Sequence, residues 1–287
     1  MKHIFIREKA LCRRNCVFKT VDLFEYSEEE AQAAKLCRKK KLYATIPKNK
    51  SLNDKHSRNM FEWVIHNNFD KRDYSATLTF ENAPTAQNGK RLLDNYIKRL
   101  RRLYRKNGVR LDYVVVTEEG LIGKRLHYHL ILNSGNGTIK REDIENLWKE
   151  GFCNVDRLRP NENGLLELCH YLEKSQKNAA KYKRAWTCST HLKHPEITVN
   201  DNSISRKRMR AIQNAARNDE AKQEIEKMYK GWKCIGRPEI GTNEVTGRQY
   251  AHFKLIRKPS PCKARHKPKR TEACTVKQNE CRLNLRI

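Results

Sequence analysis

One short run of residues constrains the fold of this chain more than any other feature. Residues 126–132 read LHYHLIL, and Asn133, followed by a serine and a glycine, closes the run. A short apolar run rich in branched and aromatic residues predicts a β-strand that ends in a turn. Because side chains alternate between the faces of a strand, we expect His127 and His129 on one face and Tyr128 on the other. Two neighbouring imidazoles form half of a divalent metal site.

The periodicity of the surrounding segments predicts a strand–helix–strand–strand–helix–strand–helix order. This order is typical of an α+β fold in which helices pack on a central, mostly antiparallel sheet. We place this domain at residues 71–200. Its predicted elements are, in chain order, residues 75–80, 90–106, 112–118, 125–132, 138–149, 151–156 and 165–177.

Basic segments flank this domain on both sides. We interpret residues 1–70 as a basic N-terminal extension that lies along DNA or packs loosely on the core. Residues 201–258 predict a C-terminal extension, with a polar helix over 205–230 and a hairpin over 241–256. The tail, residues 259–287, is rich in Lys, Arg and Pro, which predicts disorder.

The charge of the chain indicates its partner. The formal net charge is +28 over 287 residues, and so large an excess favours binding to the phosphates of a nucleic acid. We expect Arg99, Arg101, Arg102 and Arg105, on the polar side of the helix over 90–106, to contact DNA phosphates. The chain lacks an apolar run of membrane-spanning length and a signal-peptide core, so we expect a cytoplasmic protein without membrane contact.

The ten cysteines include no Cys-x-x-Cys pair, which in a cytoplasmic chain favours reduced thiols over a disulfide framework. Cys12 and Cys16 have a spacing that zinc could use, but the sequence shows no second pair of ligands for a structural zinc site.

A carboxylate is positioned to join the histidines. Glu118 ends the strand before the histidine strand, and if the two strands pair as a hairpin it lies beside the imidazoles as an oxygen ligand. Glu119 is the rival, and the register of the hairpin decides between them. Two imidazoles and a carboxylate with open positions suit Mg²⁺ or Mn²⁺ acting as a Lewis acid on a phosphate.

A nucleophile is predicted on the helix over residues 165–177. Tyr171 and Lys174 are three residues apart and therefore neighbours on its surface. A tyrosine hydroxyl is a weak nucleophile at neutral pH, because its ordinary pKa is about 10. A nearby ammonium and a metal-polarised phosphodiester would stabilise the charge that develops during attack.

These motifs together resemble the HUH (His-hydrophobic-His) endonucleases, in particular the rolling-circle replication initiators of phages and plasmids. LHYHLIL at 126–132 resembles their histidine motif, YLEK at 171–174 their Tyr-x-x-Lys motif, and SATLTF at 75–80 their first motif. The resemblance covers about residues 70 to 200. It implies that Tyr171 nicks single-stranded DNA at an origin hairpin, with Lys174 in support and with Glu118, His127 and His129 holding the metal.

The sequence departs from parts of this family. Position 175 is Ser, so the second tyrosine of two-tyrosine initiators is missing and a single-tyrosine mechanism is favoured. Without a Walker A sequence, the chain implies a host helicase, together with a host polymerase. A relaxase, a single-strand transposase and a non-catalytic DNA-binding protein remain alternatives. The position of the tyrosine after the histidines favours the initiator over the relaxase.

Overall fold

The computed structural model describes residues 4–29, 32, 47–119, 125–176, 186–201, 203–244 and 246–259. Within these residues, ten strands form two five-stranded sheets in which every pairing is antiparallel. Helices pack on both sheets, so the predicted α+β class is confirmed. The predicted tail lies, apart from Pro259, outside the described residues.

The strands are β1 (Ile4–Cys12), β2 (Phe18–Ser27), β3 (Tyr74–Thr79), β4 (Tyr113–Glu119), β5 (Leu126–Leu132), β6 (Cys153–Arg157), β7 (Trp186–Cys188), β8 (Glu196–Asn200), β9 (Trp232–Thr242) and β10 (Gln249–Arg257). The helices are α1 (Pro47–Asn68), α2 (Ala86–Lys106), α3 (Arg141–Asn146), α4 (Leu166–Gln176), α5 (Arg206–Arg217) and α6 (Ala221–Met228).

The central sheet has the strand order β6-β3-β5-β4-β7 and comes from the middle of the chain. One of its faces is apolar and fully covered. Tyr128 and Leu130 of β5 lie in this core together with Leu78 of β3. Helix α2 covers them, because its apolar residues recur at helical spacing and form one buried stripe. The stripe consists of Leu93, Tyr96, Ile97, Leu100 and Tyr104.

The terminal sheet, with the order β8-β1-β2-β10-β9, joins the two ends of the chain. Strand β2 near the N-terminus pairs with β10 near the C-terminus, and Asp22 meets His252 across this pair at 2.6 Å. Residues from both predicted extensions therefore build one sheet with its own core. The domain boundaries proposed from the sequence stay a prediction.

Helix α1 is buried between the two sheets. Phe61, Trp63 and Val64 are completely buried, and they share a core with Phe18 of the terminal sheet and Val116 of the central sheet. The expectation that this amphipathic segment packs loosely was wrong. The error arose because the apolar face of α1 is covered by strands distant in the chain, which local periodicity does not reveal.

The strand–helix–strand–strand–helix–strand–helix order is confirmed, with differences in detail. Helix α3 is shorter than predicted. The predicted helix over 205–230 is two helices, separated near Asp219, whose φ of 58° is a left-handed conformation that ends a helix. The predicted hairpin is present as β9 and β10. Among the described residues, none of the helices combines the length and the apolar content that a membrane span requires.

Candidate active site

The two histidines share one face of the central sheet, as the alternation along β5 predicts. Tyr128 and Leu130 lie in the core under α2, whereas Ile131 contributes to the opposite core, which contains α1 and α4. His127 and His129 are in phase with Ile131 and therefore face that second side. We call it the histidine face.

The register of the β4–β5 pair decides between the two glutamates. The two strands pair as the predicted hairpin, with Glu118 directly opposite His127 and Glu119 opposite Leu126. Since Leu126 faces the core under α2, the register places Glu118 on the histidine face. The side chain of Glu119 lies outside the described residues.

His129 is held in place by two hydrogen-bond partners. Its Nε2 lies 2.6 Å from Oε2 of Glu118, and its Nδ1 lies 3.2 Å from the hydroxyl of Thr77 on the neighbouring strand. Both contacts are satisfied when Nε2–H donates to the carboxylate and the Thr77 hydroxyl donates to Nδ1. The imidazole is almost completely buried. His127 is partly exposed and has no hydrogen-bond partner among the described residues.

Tyr171 lies beside the histidine face on α4. Buried Cys169 and Leu172 anchor the helix against the core, which leaves Tyr171 57% exposed. Its ring meets the His129 ring edge-on, with the centroids 5.7 Å apart and the planes at 82°. The backbone of Lys174 lies one turn further along α4, but its side chain lies outside the described residues.

The donor types on the histidine face fit Mg²⁺ or Mn²⁺. Two imidazoles and the Glu118 carboxylate occupy adjacent register positions, and Glu118 keeps part of its side chain exposed. In the described part of the chain, however, no three His, Cys, Asp or Glu side chains converge on one point. The Glu118–His129 hydrogen bond occupies one donor of each residue. A rotation of the Glu118 side chain away from Nε2 would free both donors.

The four predicted DNA-binding arginines lie on the opposite side of the central sheet. They are part of α2, which covers the face that carries Tyr128. Arg99 is largely buried, with Nη2 3.5 Å from Oε1 of Glu150. Arg101, Arg102 and Arg105 are on the outer surface of α2. The structure does not bring these arginines to the histidines, and their contact with DNA stays a prediction.

A buried acidic pair links the tyrosine helix to α1 and to the terminal sheet. Glu62 of α1 is fully buried, and Nζ of Lys254 lies 2.5 Å from its Oε1. Glu173 of α4 lies close to Glu62, and its Oε2 is 3.5 Å from Nε of Arg58. His170 Nε2 is 3.7 Å from Glu62 Oε1.

Burial, and then the neighbouring Glu62 charge, raise the pKa of Glu173 to about 7, while Arg58 and Lys254 oppose the shift. Glu62 Oε2 and Glu173 Oε1 both lack a hydrogen-bond partner, and a single proton held between the two carboxyl groups would satisfy both atoms. The sequence analysis missed this pair. The signal was Glu62 within the otherwise apolar run from Met60 to Ile65.

The comparison with protein-family models now has its structural context. Residues 73–176 match a family model of replication-associated proteins, the ORF2 type. The matched segment begins one residue before β3 and ends with α4, so it contains four strands of the central sheet and the tyrosine helix. It covers about a third of the chain. Neither a curated protein nor a solved structure matches the chain at a significant level.

The match supports a role in replication, which agrees with the resemblance found in the sequence motifs. All the residues predicted for metal binding and catalysis lie within the matched segment: Glu118, His127, His129, Tyr171 and Lys174. The terminal sheet lies outside the matched segment, and it reaches the tyrosine helix through the acidic pair and Lys254.

Proposed function

We propose that this protein nicks and joins single-stranded DNA by tyrosine transesterification, and that it thereby initiates rolling-circle replication. One observation carries the proposal: an exposed tyrosine stands edge-on to a buried histidine that is bonded to a carboxylate, on one face of a sheet. The family match supports the replication role, and the net charge of +28 supports a nucleic-acid substrate.

Tyr171 is the proposed nucleophile. Its hydroxyl oxygen forms a bond to the scissile phosphorus, and the bond between phosphorus and the 3′ oxygen breaks. The phenolic proton is released, the departing oxygen gains a proton as a free 3′-OH, and the 5′ phosphate stays on the tyrosine. A host polymerase then extends the 3′-OH, while a host helicase opens the duplex. Lys174, one turn along the helix, would stabilise the negative charge.

The remaining residues of the site would hold the metal ion and orient the reacting groups. Glu118, His127 and His129 would bind Mg²⁺ or Mn²⁺, which when bound supplies Lewis-acid stabilisation of charge at the phosphate. The hydroxyl of Thr77 orients the His129 ring through Nδ1, as outer partners of metal-binding histidines commonly do. The buried stripe of α4 fixes the helix that presents Tyr171.

The test is covalent adduct formation. The full chain is incubated with Mn²⁺ and single-stranded oligonucleotides that include the intergenic DNA of the element encoding it, and adducts are detected on a denaturing gel. We expect an adduct that chelation of Mn²⁺ prevents and that Tyr171→Phe abolishes. Tyr250→Phe, at another exposed tyrosine on the terminal sheet, is the matched control and should retain it.

An adduct that persists in Tyr171→Phe would overturn the assignment of the nucleophile. Salt-dependent binding of single-stranded DNA without any adduct, on a pool that contains the element's own DNA, would favour the non-catalytic DNA-binding protein. The donors that do not converge among the described residues are the observation that favours this second reading.

A further inference from the structure

Phe152, which follows α3 and precedes β6, is exposed in a way that the core of the protein does not explain. Its exposed fraction is 68%, the largest among the big hydrophobic side chains of the described residues. Tyr171 is second at 57%. A phenylalanine ring that lies mostly in solvent contributes little to folding that a polar residue would not, so its position calls for a ligand.

Phe152 lies in line with the proposed active site. The backbone N–H of Thr79 donates to the carbonyl of Phe152 at 2.9 Å, and Thr79 pairs with His127 across β3 and β5. Cys153, the next residue, is buried under α2. By alternation, Phe152 therefore faces the histidine side, in one row with Thr79, His127 and Glu118. Two strand spacings separate it from His127, roughly 10 Å.

The backbone that carries Phe152 is fixed. Gly151 packs so closely on the neighbouring strand that an added Cβ would lie 2.5 Å from the Thr79 carbonyl oxygen and 2.5 Å from the Glu81 nitrogen. The Glu81 N–H donates to the carbonyl of Glu150 at 3.0 Å, and the Thr79 hydroxyl donates to the carbonyl of Phe152 at 3.1 Å. A ligand would meet this aromatic ring with little loss of backbone entropy.

The part of the histidine face next to Phe152 is open, whereas the other part is covered. Helix α4 packs over β4, and Val116 lies in the core beneath the helices. On β6, Asn154 and Asp156 are exposed, and Thr77 on β3 is partly exposed. The histidines thus lie at the boundary of the open part, with the Tyr171 ring on one side and the Phe152 ring on the other.

We infer that Phe152 is a stacking platform for a base of the single-stranded DNA close to the phosphate that Tyr171 attacks. The inference rests on the proposed function for its substrate class. Only an unpaired base can place its flat face on a protein ring, so the site selects single strands over a duplex. Because every base has such a face, Phe152 adds affinity and position rather than sequence specificity.

The test compares DNA with and without bases. Fluorescence anisotropy measures binding of a thymidine oligonucleotide of about 20 residues and of an abasic oligonucleotide of equal length to the full chain. Phe152→Ala should weaken binding of the thymidine strand by at least about fivefold, the effect of losing one stacked base, without changing binding of the abasic strand. The salt dependence should stay unchanged, because no phosphate contact is lost.

Two variants control this result. Phe152→Trp should retain the affinity, because an indole also stacks on bases. Tyr250→Ala removes an exposed aromatic ring from the terminal sheet and should leave both affinities unchanged. Phe152→Ala should unfold at the same temperature as the wild type, because its ring is mostly in solvent.

The outcomes separate this inference from the proposed function. If Phe152→Ala binds the thymidine strand as tightly as the wild type, or loses both strands equally, the stacking platform is wrong even when the wild type forms the adduct. If the selective loss is found and the wild type forms no adduct with its own DNA, the stacking platform stands and the nicking activity is wrong.

Discussion

The two faces of the central sheet differ in how completely they are covered. The face that carries Tyr128 and Leu130 is closed by α2 and contains one continuous apolar core. The histidine face is covered by α1 and α4 over β4, and is open over β3 and β6. Strand alternation thus lets the same seven residues of β5 serve stability on one side and chemistry on the other.

The largest expected effect of breaking this division is on activity. Replacing His127 and His129 together by Ala should lower the rate of adduct formation by about a thousandfold or more, since a Lewis acid supplies several kcal/mol. The free energy of unfolding should change much less than the rate does. Rates come from the denaturing gel and stability from urea unfolding. A double variant that keeps most of its rate would contradict the metal assignment.

The closed face should respond in the opposite way. Leu130→Ala leaves a cavity beneath α2 and should destabilise the protein by about 2–5 kcal/mol in urea unfolding. Its adduct rate under conditions where it stays folded should remain near that of the wild type. Thr77→Val is the matched change on the histidine face, where we expect a loss of rate and about 1 kcal/mol or less in stability. Equal stability losses in the two variants would remove the distinction between the faces.

An intermediate effect concerns pH and the layer that covers half of the histidine face. Because the pKa of Glu173 is raised to about 7 in the folded protein, its contribution to stability is greatest below its ordinary pKa and is lost as the pH rises through about 7. Glu173→Gln should gain up to about 2 kcal/mol over the wild type at about pH 8, allowing for partial exposure, and much less at about pH 5.

Urea unfolding at both pH values measures this difference. Glu167→Gln, an exposed glutamate on the same helix, is the control and should show no such dependence. The charged neighbours Glu62, Arg58 and Lys254 are unchanged in both variants. A gain that is the same at both pH values would show that the raised pKa of Glu173 is not its origin.

The smallest effect is expected on the outer surface of α2. Arg101→Ala with Arg102→Ala removes two exposed charges on the side away from the histidines. The adduct rate at saturating DNA should stay unchanged, and affinity at low salt should fall by a few-fold at most, about 0.5 kcal/mol for each charge. A large loss of rate would mean that the substrate extends around the sheet edge to α2.

Local patterns predicted what local interactions determine. The alternation of His127, Tyr128 and His129 required only a strand, and the helix of Tyr171 required only periodicity. The choice of Glu118 over Glu119 depended on a hairpin register, which the sequence left open. The position of α1 and the pairing of Glu62 with Lys254 depend on contacts 192 residues apart in the chain, and no local pattern specifies these.

The pairing of β2 with β10 also orders events in time. Asp22 and His252 are 230 residues apart, so during synthesis the β1–β2 hairpin emerges long before its partner strand exists. The segment from β3 to α4 has sequence-near neighbours and is able to collapse first. The hairpin meanwhile exposes an unpaired edge, which is prone to association with other chains. We expect refolding to show a fast phase at the histidine face, followed by a slower phase that closes the terminal sheet.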